Sequence, residues 1–345
     1  MGIKVRKSIS NLQTYNVGGR SDLSSDWECF DWNESEFPPT NKVFEVMKSF
    51  YRYERYPDIT AKQLKNKLSE YVSLPVDFIE VYNGSDDALK DIITVFVDKD
   101  TKVLSYQPSY TQVNTFITTN TEHYEKVNIQ DPLGEHYFDF SYCKSADVVY
   151  LVNPNNPTGK LLPVKEIETL VKTYPNTLFI VDEAYYEFAK QSCTHLVVSH
   201  KNLVVTRTFS KAFGLASVRL GYCMAHPDTL SDIRKIRNGK AVNALGQLCG
   251  IAALDDLDYL QSRIDEMNDA KKFFIDNLPN YYQAIDSDAN FVLVKTPDSK
   301  KVLDKMKENK ILIRDRSAFD NLENCVRITI GSKKQIIRVL DVMTN

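Results

Sequence analysis

Cysteine and histidine are scarce in this sequence, and neither is arranged as a metal site or a disulfide scaffold would require. The chain has 345 residues but only 6 cysteines and 5 histidines. No two cysteines form a C-x-x-C pair, and the histidines are dispersed without an accompanying cluster of acids. These features argue against a zinc site and against a small secreted protein stabilised by disulfides.

Long apolar runs and a strong charge imbalance are absent as well. No stretch approaches the roughly 18 apolar residues that a membrane-spanning helix needs, and the first residues lack the apolar core of a signal peptide. The formal net charge is only -3, so no general attraction to nucleic acid is expected. We therefore expect a cytoplasmic protein that acts on small molecules and binds neither nucleic acid nor membranes.

Short apolar runs that alternate with helical segments indicate the fold class. From residue 79 onwards these runs are continuous, as in strands buried on both faces, and amphipathic stretches such as 85–97 and 163–173 separate them. We predict an α/β fold, with a mostly parallel sheet covered by helices in a large domain and a smaller α+β domain. The runs predicted as strands are Phe78–Tyr82, Lys102–Tyr106, Asp147–Val152, Leu178–Val181, Leu203–Thr206 and Val218–Met224.

The N-terminal part predicts an arm followed by helices. The first forty residues are rich in Asn, Ser, Pro and aromatic residues, and we expect little regular structure in them. Helices are expected over residues 41–50 and 60–72, with Thr60 as the N-cap of the second helix.

The C-terminal part predicts helices and then a separate small unit. Residues 228–277 predict mostly helix, because apolar residues recur there among many charges. We expect an arm (1–40) that joins the small domain, a large domain (41–280) and a small α+β domain (281–345). The strands expected in the small domain are Asn290–Lys295, Ile311–Arg314 and Val326–Ile330.

Polar motifs follow two of the predicted strands, at the edge where open α/β sheets bind ligands. The sequence Asn83-Gly84-Ser85-Asp86-Asp87 begins a helix whose free N–H groups favour a phosphate, although an ordinary N-cap is the alternative. The sequence Asn153-Pro154-Asn155-Asn156-Pro157-Thr158-Gly159 is either a rigid loop that holds an amide in place or a plain turn.

Two ionisable groups follow the next strands. Asp182 ends a buried apolar run, where a carboxylate is costly unless a cation meets it, and Tyr185 lies three residues further on. A capping aspartate on the surface is the alternative. Lys211 follows another strand among small and apolar residues, where a desolvated lysine suits a Schiff base, although lysines are more often solvated. Hydroxyls and a guanidinium suited to a phosphate are supplied nearby by Thr208, Ser210 and Arg219.

The chain resembles fold-type I pyridoxal-5′-phosphate (PLP) enzymes, the class I/II aminotransferases. The resemblance rests on the ordered set Asn156, Asp182, Tyr185, Lys211, Arg219 and Arg327. It extends over essentially the whole chain, and five motifs are similar to those of the histidinol-phosphate aminotransferase branch. These motifs are Arg55-Tyr56-Pro57-Asp58, Asn153–Gly159, Asp182–Tyr185, Ser210–Gly214 and Val326–Gly331.

The resemblance implies PLP as the cofactor and a role for each residue around it. Lys211 would hold PLP as a Schiff base and shuttle a proton, and Asp182 would keep the pyridine nitrogen protonated. Asn156 and Tyr185 would hydrogen-bond the phenolic oxygen, and Tyr110 would stack on the ring. The phosphate would be bound by Ser85, Asp86, Thr208, Ser210 and Arg219, and by Tyr56 from the neighbouring subunit of a homodimer with shared active sites.

The resemblance also implies a reaction. Arg327 would bind the substrate carboxylate, Arg314 would bind a substrate phosphate, and Tyr15 would close over the substrate. The expected activity (EC 2.6.1) moves an amino group from glutamate, or a similar donor, to a phosphorylated ketone or aldehyde, as in histidinol-phosphate aminotransferase. The alternative is a PLP-dependent decarboxylase of an O-phospho-amino acid, because residues 31–39 depart from the usual substrate wall of the branch.

Overall fold

The computed structural model describes residues 3–10, 12, 20, 24, 26–135 and 138–344. Its strands are β1 (Glu28–Cys29), β2 (Ile79–Tyr82), β3 (Val103–Gln107), β4 (Tyr124–Asn128), β5 (Val148–Val152), β6 (Leu178–Asp182), β7 (Leu203–Thr208), β8 (Gly221–Ala225), β9 (Gln283–Ala284), β10 (Phe291–Lys295), β11 (Ile311–Leu312), β12 (Arg314–Asp315) and β13 (Cys325–Thr329). Its α-helices are α1 (Lys7–Ser10), α2 (Asn41–Ser49), α3 (Lys62–Val72), α4 (Ser85–Phe96), α5 (Gln112–Asn120), α6 (Val164–Thr173), α7 (Tyr186–Ala189), α8 (Pro227–Arg234), α9 (Ala244–Leu254), α10 (Leu257–Asp276), α11 (Ser299–Glu308) and α12 (Lys333–Thr344).

A central sheet has the strand order β2-β8-β7-β6-β5-β3-β4 in the part of the chain that the structure describes. Strands β3 to β7 run parallel to one another, and β8 runs antiparallel to β7 and β2. Neighbouring residues of a strand pack into different hydrophobic layers: Val148 and Tyr150 lie in one layer, Val149 and Leu151 in the other. Because helices cover both faces, the strands are continuous apolar runs, and the predicted α/β class is confirmed.

Strand β4 lies outside the predicted set. It pairs with β3 at the edge of the central sheet, and each of its residues is exposed or only partly buried. An edge strand of this kind needs no continuous apolar run, and its sequence Tyr-Glu-Lys-Val-Asn has none.

Helix α3 begins at Lys62, and the prediction that Thr60 is its N-cap is wrong. Ala61 precedes the helix with a φ of 46°. The Asp58 carboxylate accepts hydrogen bonds from the backbone N–H of Thr60 at 2.9 Å and from that of Lys62 at 3.0 Å. The Asp58 side chain therefore caps the helix. Its carboxylate binds the free N–H of Lys62, four residues further along the chain.

The predicted strand over residues 311–314 is divided at Ile313. Strand β11 pairs in parallel with β1, whereas β12 pairs antiparallel with β13. The chain passes from one sheet to another at this point, so its backbone cannot continue as one strand.

The C-terminal residues form an antiparallel sheet of order β12-β13-β10-β9, with α10, α11 and α12 packed against it. The N-terminal segment contacts this unit, because β1 pairs with β11 and Phe30 is buried in the same hydrophobic cluster. Helix α10 contributes to both cores, through Ile264 on one side and Phe274 on the other. The domain boundaries at 40 and 280 stay a prediction. None of the helices described is long and apolar enough to cross a membrane.

Candidate active site

Most of the predicted site residues meet in one cavity at the carboxyl ends of the central strands. Strands β5, β6 and β7 are parallel neighbours, so the residues that follow them lie at the same edge of the sheet. A cavity of about 620 Å³ opens at this edge. Its walls include Ser85, Asp86, Tyr110, Asn156, Asp182, Tyr185, Thr208, Ser210, Lys211, Arg219, Arg314 and Arg327.

Asp182 presents a buried carboxylate to this cavity. Its Oδ2 accepts a hydrogen bond from the Tyr150 hydroxyl, and its Oδ1 accepts one from the Thr206 hydroxyl, each at 3.1 Å. Burial raises the pKa of Asp182 to about 6, although these hydrogen bonds favour the ionised form. A cationic group of a ligand is therefore favourable beside this carboxylate.

Lys211 follows β7 and its side chain enters the same cavity. The Nζ donates a hydrogen bond to the Trp32 carbonyl at 2.9 Å. Burial, aided by the positive charge of Arg327, lowers the pKa of Lys211 to about 8. A lysine with this pKa is neutral in an appreciable fraction of molecules near neutral pH, as a nucleophile or a base must be.

Asn156, Tyr185 and Arg327 form a chain of hydrogen bonds along one wall. The Asn156 amide donates to the Tyr185 hydroxyl at 3.3 Å, and its oxygen accepts from Nη1 of Arg327 at 2.5 Å. Nη2 of Arg327 donates to the Asp31 carbonyl at 2.6 Å. Because Arg327 lies on β13 and the other two follow strands of the central sheet, this chain joins the two sheets across the cavity.

The start of α4 and the loop after β7 supply hydrogen-bond donors, which we call the donor cradle. Gly84 precedes α4 with a φ of 88°, and a Cβ there would lie 2.7 Å from Nη2 of Arg219, so a larger residue would be strained and would displace the guanidinium. Nη1 of Arg219 lies 3.4 Å from the Ser210 hydroxyl. Free N–H groups at a helix start, hydroxyls and a guanidinium together suit a phosphate. The cradle consists of Ser85 and Asp86 at the helix start with Thr208, Ser210 and Arg219.

Arginines reach the cavity from the C-terminal sheet. Arg314 and Arg327 lie directly opposite each other in the register of β12 and β13, so their side chains leave the same face. Arg316 and Phe319 line the cavity beside them. Guanidinium groups arranged in this way suit carboxylate and phosphate groups of a ligand.

Asn33, Tyr150 and Thr206 touch the site but are absent from the predicted set. The Asn33 amide donates to the Tyr185 hydroxyl at 2.9 Å, and the other two residues bind Asp182 as described above. Tyr150 and Thr206 interrupt apolar strands with hydroxyl groups, a signal in the sequence that indicates a polar partner. Asn33 carries no comparable local signal.

Tyr110 and Tyr56 differ in their relation to the cavity. Tyr110 lines the cavity, and its hydroxyl donates to the Asp86 carboxylate at 2.9 Å. Tyr56 is 78% exposed and is not among the cavity residues; its ring lies 4.4 Å from Nζ of Lys240. Tyr15 lies outside the residues that the structure describes.

Known proteins are similar to this chain over most of its length. A dihydroxyacetone phosphate transaminase from Campylobacter jejuni is 37% identical over 325 residues, which cover 90% of this chain and 88% of that protein. The crystal structure of histidinol-phosphate aminotransferase from Sinorhizobium meliloti, in complex with PLP, has a TM-score of 0.83 at 25% identity and covers 92% of this chain and 89% of its own. The crystal structure of L-threonine-O-3-phosphate decarboxylase from Porphyromonas gingivalis has a TM-score of 0.78 at 25% identity, with coverages of 92% and 98%.

A family model confirms the resemblance that the motifs predict. The model described as aminotransferase class I and II matches residues 23–343. This range contains every residue of the cavity wall named above, from the donor cradle to the arginines of the C-terminal sheet. The chain therefore belongs to the class I and II aminotransferases.

Proposed function

We propose that this chain uses PLP to move an amino group from glutamate, or a similar donor, to a phosphorylated ketone or aldehyde. One observation carries the proposal: a lysine with a lowered pKa, a buried carboxylate and several arginines line the same cavity. A PLP enzyme needs the lysine and the carboxylate for its cofactor. The arginines suit substrates with carboxylate and phosphate groups.

The residues of the cavity fit PLP at both of its ends. The Asp182 carboxylate would face the pyridine nitrogen, whose positive charge would offset the cost of burying the carboxylate. The donor cradle would bind the phosphate, and Tyr110 would pack on the ring between the two ends. When bound, PLP accepts the amino group and withdraws electrons from the reacting carbon of the substrate.

Lys211 would attach the cofactor and move the substrate proton. Because its pKa is about 8, its Nζ can both accept and return a proton near neutral pH. Asn156 and Tyr185 would donate hydrogen bonds to the phenolic oxygen of the cofactor. The Asn156 amide is oriented for this by Arg327, which donates to its oxygen.

Arg327 and Arg314 would bind the anionic groups of the substrates. Arg327 would take the carboxylate of the donor, and Arg314, with Arg316 beside it, would take the phosphate of the acceptor. The names of two similar proteins refer to phosphorylated substrates, dihydroxyacetone phosphate and histidinol phosphate, which supports an acceptor of this class. We propose an activity like that of histidinol-phosphate aminotransferase, with imidazole acetol phosphate and dihydroxyacetone phosphate as the acceptors to compare.

A decarboxylase acting on an O-phospho-amino acid is the second candidate. The similarity to L-threonine-O-3-phosphate decarboxylase favours it, because that protein matches this chain over nearly the same length as the aminotransferase does. The same arginines would bind the phosphate and carboxylate of such a substrate. The two candidates differ in whether added glutamate converts the bound cofactor to its aminated form.

We further propose a homodimer in which Tyr56 contributes to the active site of the neighbouring subunit. Tyr51, Tyr53 and Tyr56 are each more than two thirds exposed, at 76%, 71% and 78%. Large aromatic side chains that cluster on a surface are typical of protein–protein contacts. We therefore propose that a partner subunit covers these three tyrosine side chains.

The first experiment follows the absorbance of the protein with PLP, before and after excess L-glutamate is added. We expect the band of the bound cofactor to give way to that of its aminated form, because the donor half of the reaction needs no acceptor. Lys211→Ala should bind PLP without forming the band of the attached cofactor and should show no turnover. If glutamate leaves the wild-type band unchanged while an O-phospho-amino acid releases carbon dioxide, the decarboxylase is correct.

The stability of the protein should depend on the charge of Asp182. Its pKa is raised in the folded state, so the carboxylate does not destabilise the fold below pH 4, and the cost grows to its full value above about pH 6. A shift from 3.8 to about 6 corresponds to a cost of about 3 kcal/mol. Without cofactor, Asp182→Asn should therefore unfold at higher urea than wild type at pH 8 but not at pH 4. Added PLP should stabilise wild type more than the variant.

Asp232→Asn is the matched control for Asp182→Asn. Its side chain is half exposed, and the substitution should leave the urea midpoint within error at both pH values. An Asp182→Asn variant that is less stable than wild type at pH 8 without cofactor would contradict the unfavourable burial of the carboxylate.

Arg314→Ala should weaken binding of the phosphorylated acceptor but not binding of the amino donor. Loss of a charged hydrogen bond to phosphate should raise the KM for the phosphorylated acceptor roughly 10- to 100-fold. The KM for glutamate should change little. Lys272→Ala, on the exposed face of α10, removes a cation that is not part of the cavity wall and should change neither constant. Equal increases in both constants for Arg314→Ala would remove Arg314 from the phosphate role.

Mixing two inactive variants tests the shared site. Lys211→Ala and Tyr56→Ala should each have little activity alone. In a hybrid dimer with shared sites, one site carries both substitutions and the other carries neither, so a mixture should recover about a quarter of wild-type activity. No recovery, in a mixture where hybrid dimers are detected, would contradict the role of Tyr56.

A further inference from the structure

The residues Asp31, Trp32, Asn33 and Glu34, which we call the 31–34 segment, are not part of a helix or strand, and the first three line the cavity. The segment contacts three of the residues that the proposed function uses. Lys211 donates to the Trp32 carbonyl at 2.9 Å, Tyr185 accepts from the Asn33 amide at 2.9 Å, and Arg327 donates to the Asp31 carbonyl at 2.6 Å.

One side of the 31–34 segment is held by Thr329 of the C-terminal sheet and by Asn290, the residue before strand β10. Asn33 has a φ of 53°, a left-handed conformation that asparagine tolerates better than most residues. Its N–H donates to the Thr329 hydroxyl at 3.1 Å. The Asn290 amide donates to the carbonyls of Asn33 and Glu34 at 3.2 and 3.3 Å.

Arg20 holds the other side of the segment with three contacts. Its Nη1 donates to the Glu34 carboxylate at 2.5 Å, and its Nη2 donates to the Asp31 carboxylate. The guanidinium carbon lies 4.0 Å from the centre of the Trp32 ring. Only 19% of the Arg20 side chain is exposed. A planar guanidinium can bind two carboxylates and a ring face at once, which a lysine ammonium cannot do in the same geometry.

We propose that Arg20 is a positioning residue of the reaction, which holds the 31–34 segment and through it sets the placement of Lys211, Tyr185 and Arg327. Arg20 does not line the cavity itself, since the cavity wall includes Asp31, Trp32 and Asn33 but not the arginine behind them. The proposal rests on the proposed function, because the three residues that it positions act in that reaction.

Arg20 also balances charge near Lys211. Among the charged groups that face Lys211, Arg327 and Arg219 lower its pKa, whereas Glu34 and Asp86 raise it. Without Arg20, the carboxylates of Asp31 and Glu34 would lack the cation that now pairs with both of them. The uncompensated negative charge would make the protonated form of Lys211 more favourable.

The test uses the full chain freed of cofactor, and measures the rate of PLP attachment as a function of pH. Attachment needs neutral Lys211, so the midpoint of this profile follows its pKa. Arg20→Met should shift the midpoint upward by roughly one pH unit. With cofactor attached, the same variant should lower kcat for the glutamate half-reaction by about tenfold through misplaced groups.

Two more variants separate charge from geometry. Arg20→Lys keeps the positive charge but not the planar guanidinium. Its midpoint should therefore stay close to that of wild type, while kcat still falls. Arg20→Met combined with Glu34→Gln should return the midpoint toward wild type without restoring kcat. Arg338→Met is the control, because Arg338 also pairs with an N-terminal carboxylate, that of Glu28, but outside the 31–34 segment. It should leave midpoint and kcat unchanged.

An Arg20→Met protein that unfolds at the wild-type temperature and keeps the wild-type midpoint and kcat would overturn the proposal. If Arg20→Met does not fold, Arg20→Lys tests the proposal instead. A wild-type kcat in Arg20→Lys would show that the guanidinium is not needed and would overturn the proposal. The result is distinguishable from failure of the proposed function. If the unaltered protein does not react with glutamate, transamination fails, whereas the attachment profile still reports on Arg20.

Discussion

The Asp182 carboxylate is buried at the carboxyl end of a central strand, where its negative charge is unfavourable without a cationic partner. Burial raises its pKa to about 6, and burial in the same cavity lowers the pKa of Lys211 to about 8. Burial therefore makes the charged form of each group less favourable than it is in water. A ligand that is cationic at one end and reactive toward an amine at the other relieves both costs, and PLP has these properties.

The fold holds this arrangement through contacts behind the cavity. Glu183, the residue after Asp182, pairs with the guanidinium of Arg207 at 2.9 Å, and both side chains are almost fully buried. The Arg207 guanidinium also lies 3.3 Å from the centre of the Tyr186 ring. Removal of one partner of such a pair typically costs about 3–5 kcal/mol, because the other charge is left buried and unpaired. The ends of β6 and β7 are thus tied together next to the carboxylate and the lysine that they carry.

The C-terminal sheet and the N-terminal segment complete the site from the other side. The sheet contributes Arg314 and Arg327, which bring positive charge to the cavity wall. The 31–34 segment lies between this sheet and the central one and contacts residues that belong to both.

The sequence by itself determined the class of the fold and most of the residues that line the cavity. Continuous apolar runs marked the strands covered on both faces, and motifs directly after them supplied Asn156, Asp182 and Lys211, which meet in one cavity. These features are local, because burial on two faces and a polar residue at a strand end leave their mark within a few residues.

Only the tertiary structure decided which distant residues support the site. Asn33 meets Tyr185 across 152 residues of sequence, and Asp31 meets Arg327 across 296. The edge strand β4, the division of the chain at Ile313 and the start of α3 at Lys62 were likewise set by long-range pairing or by turn geometry. A contact of this kind depends on where two segments come together in space, and neither segment carries that information in its own pattern of residues.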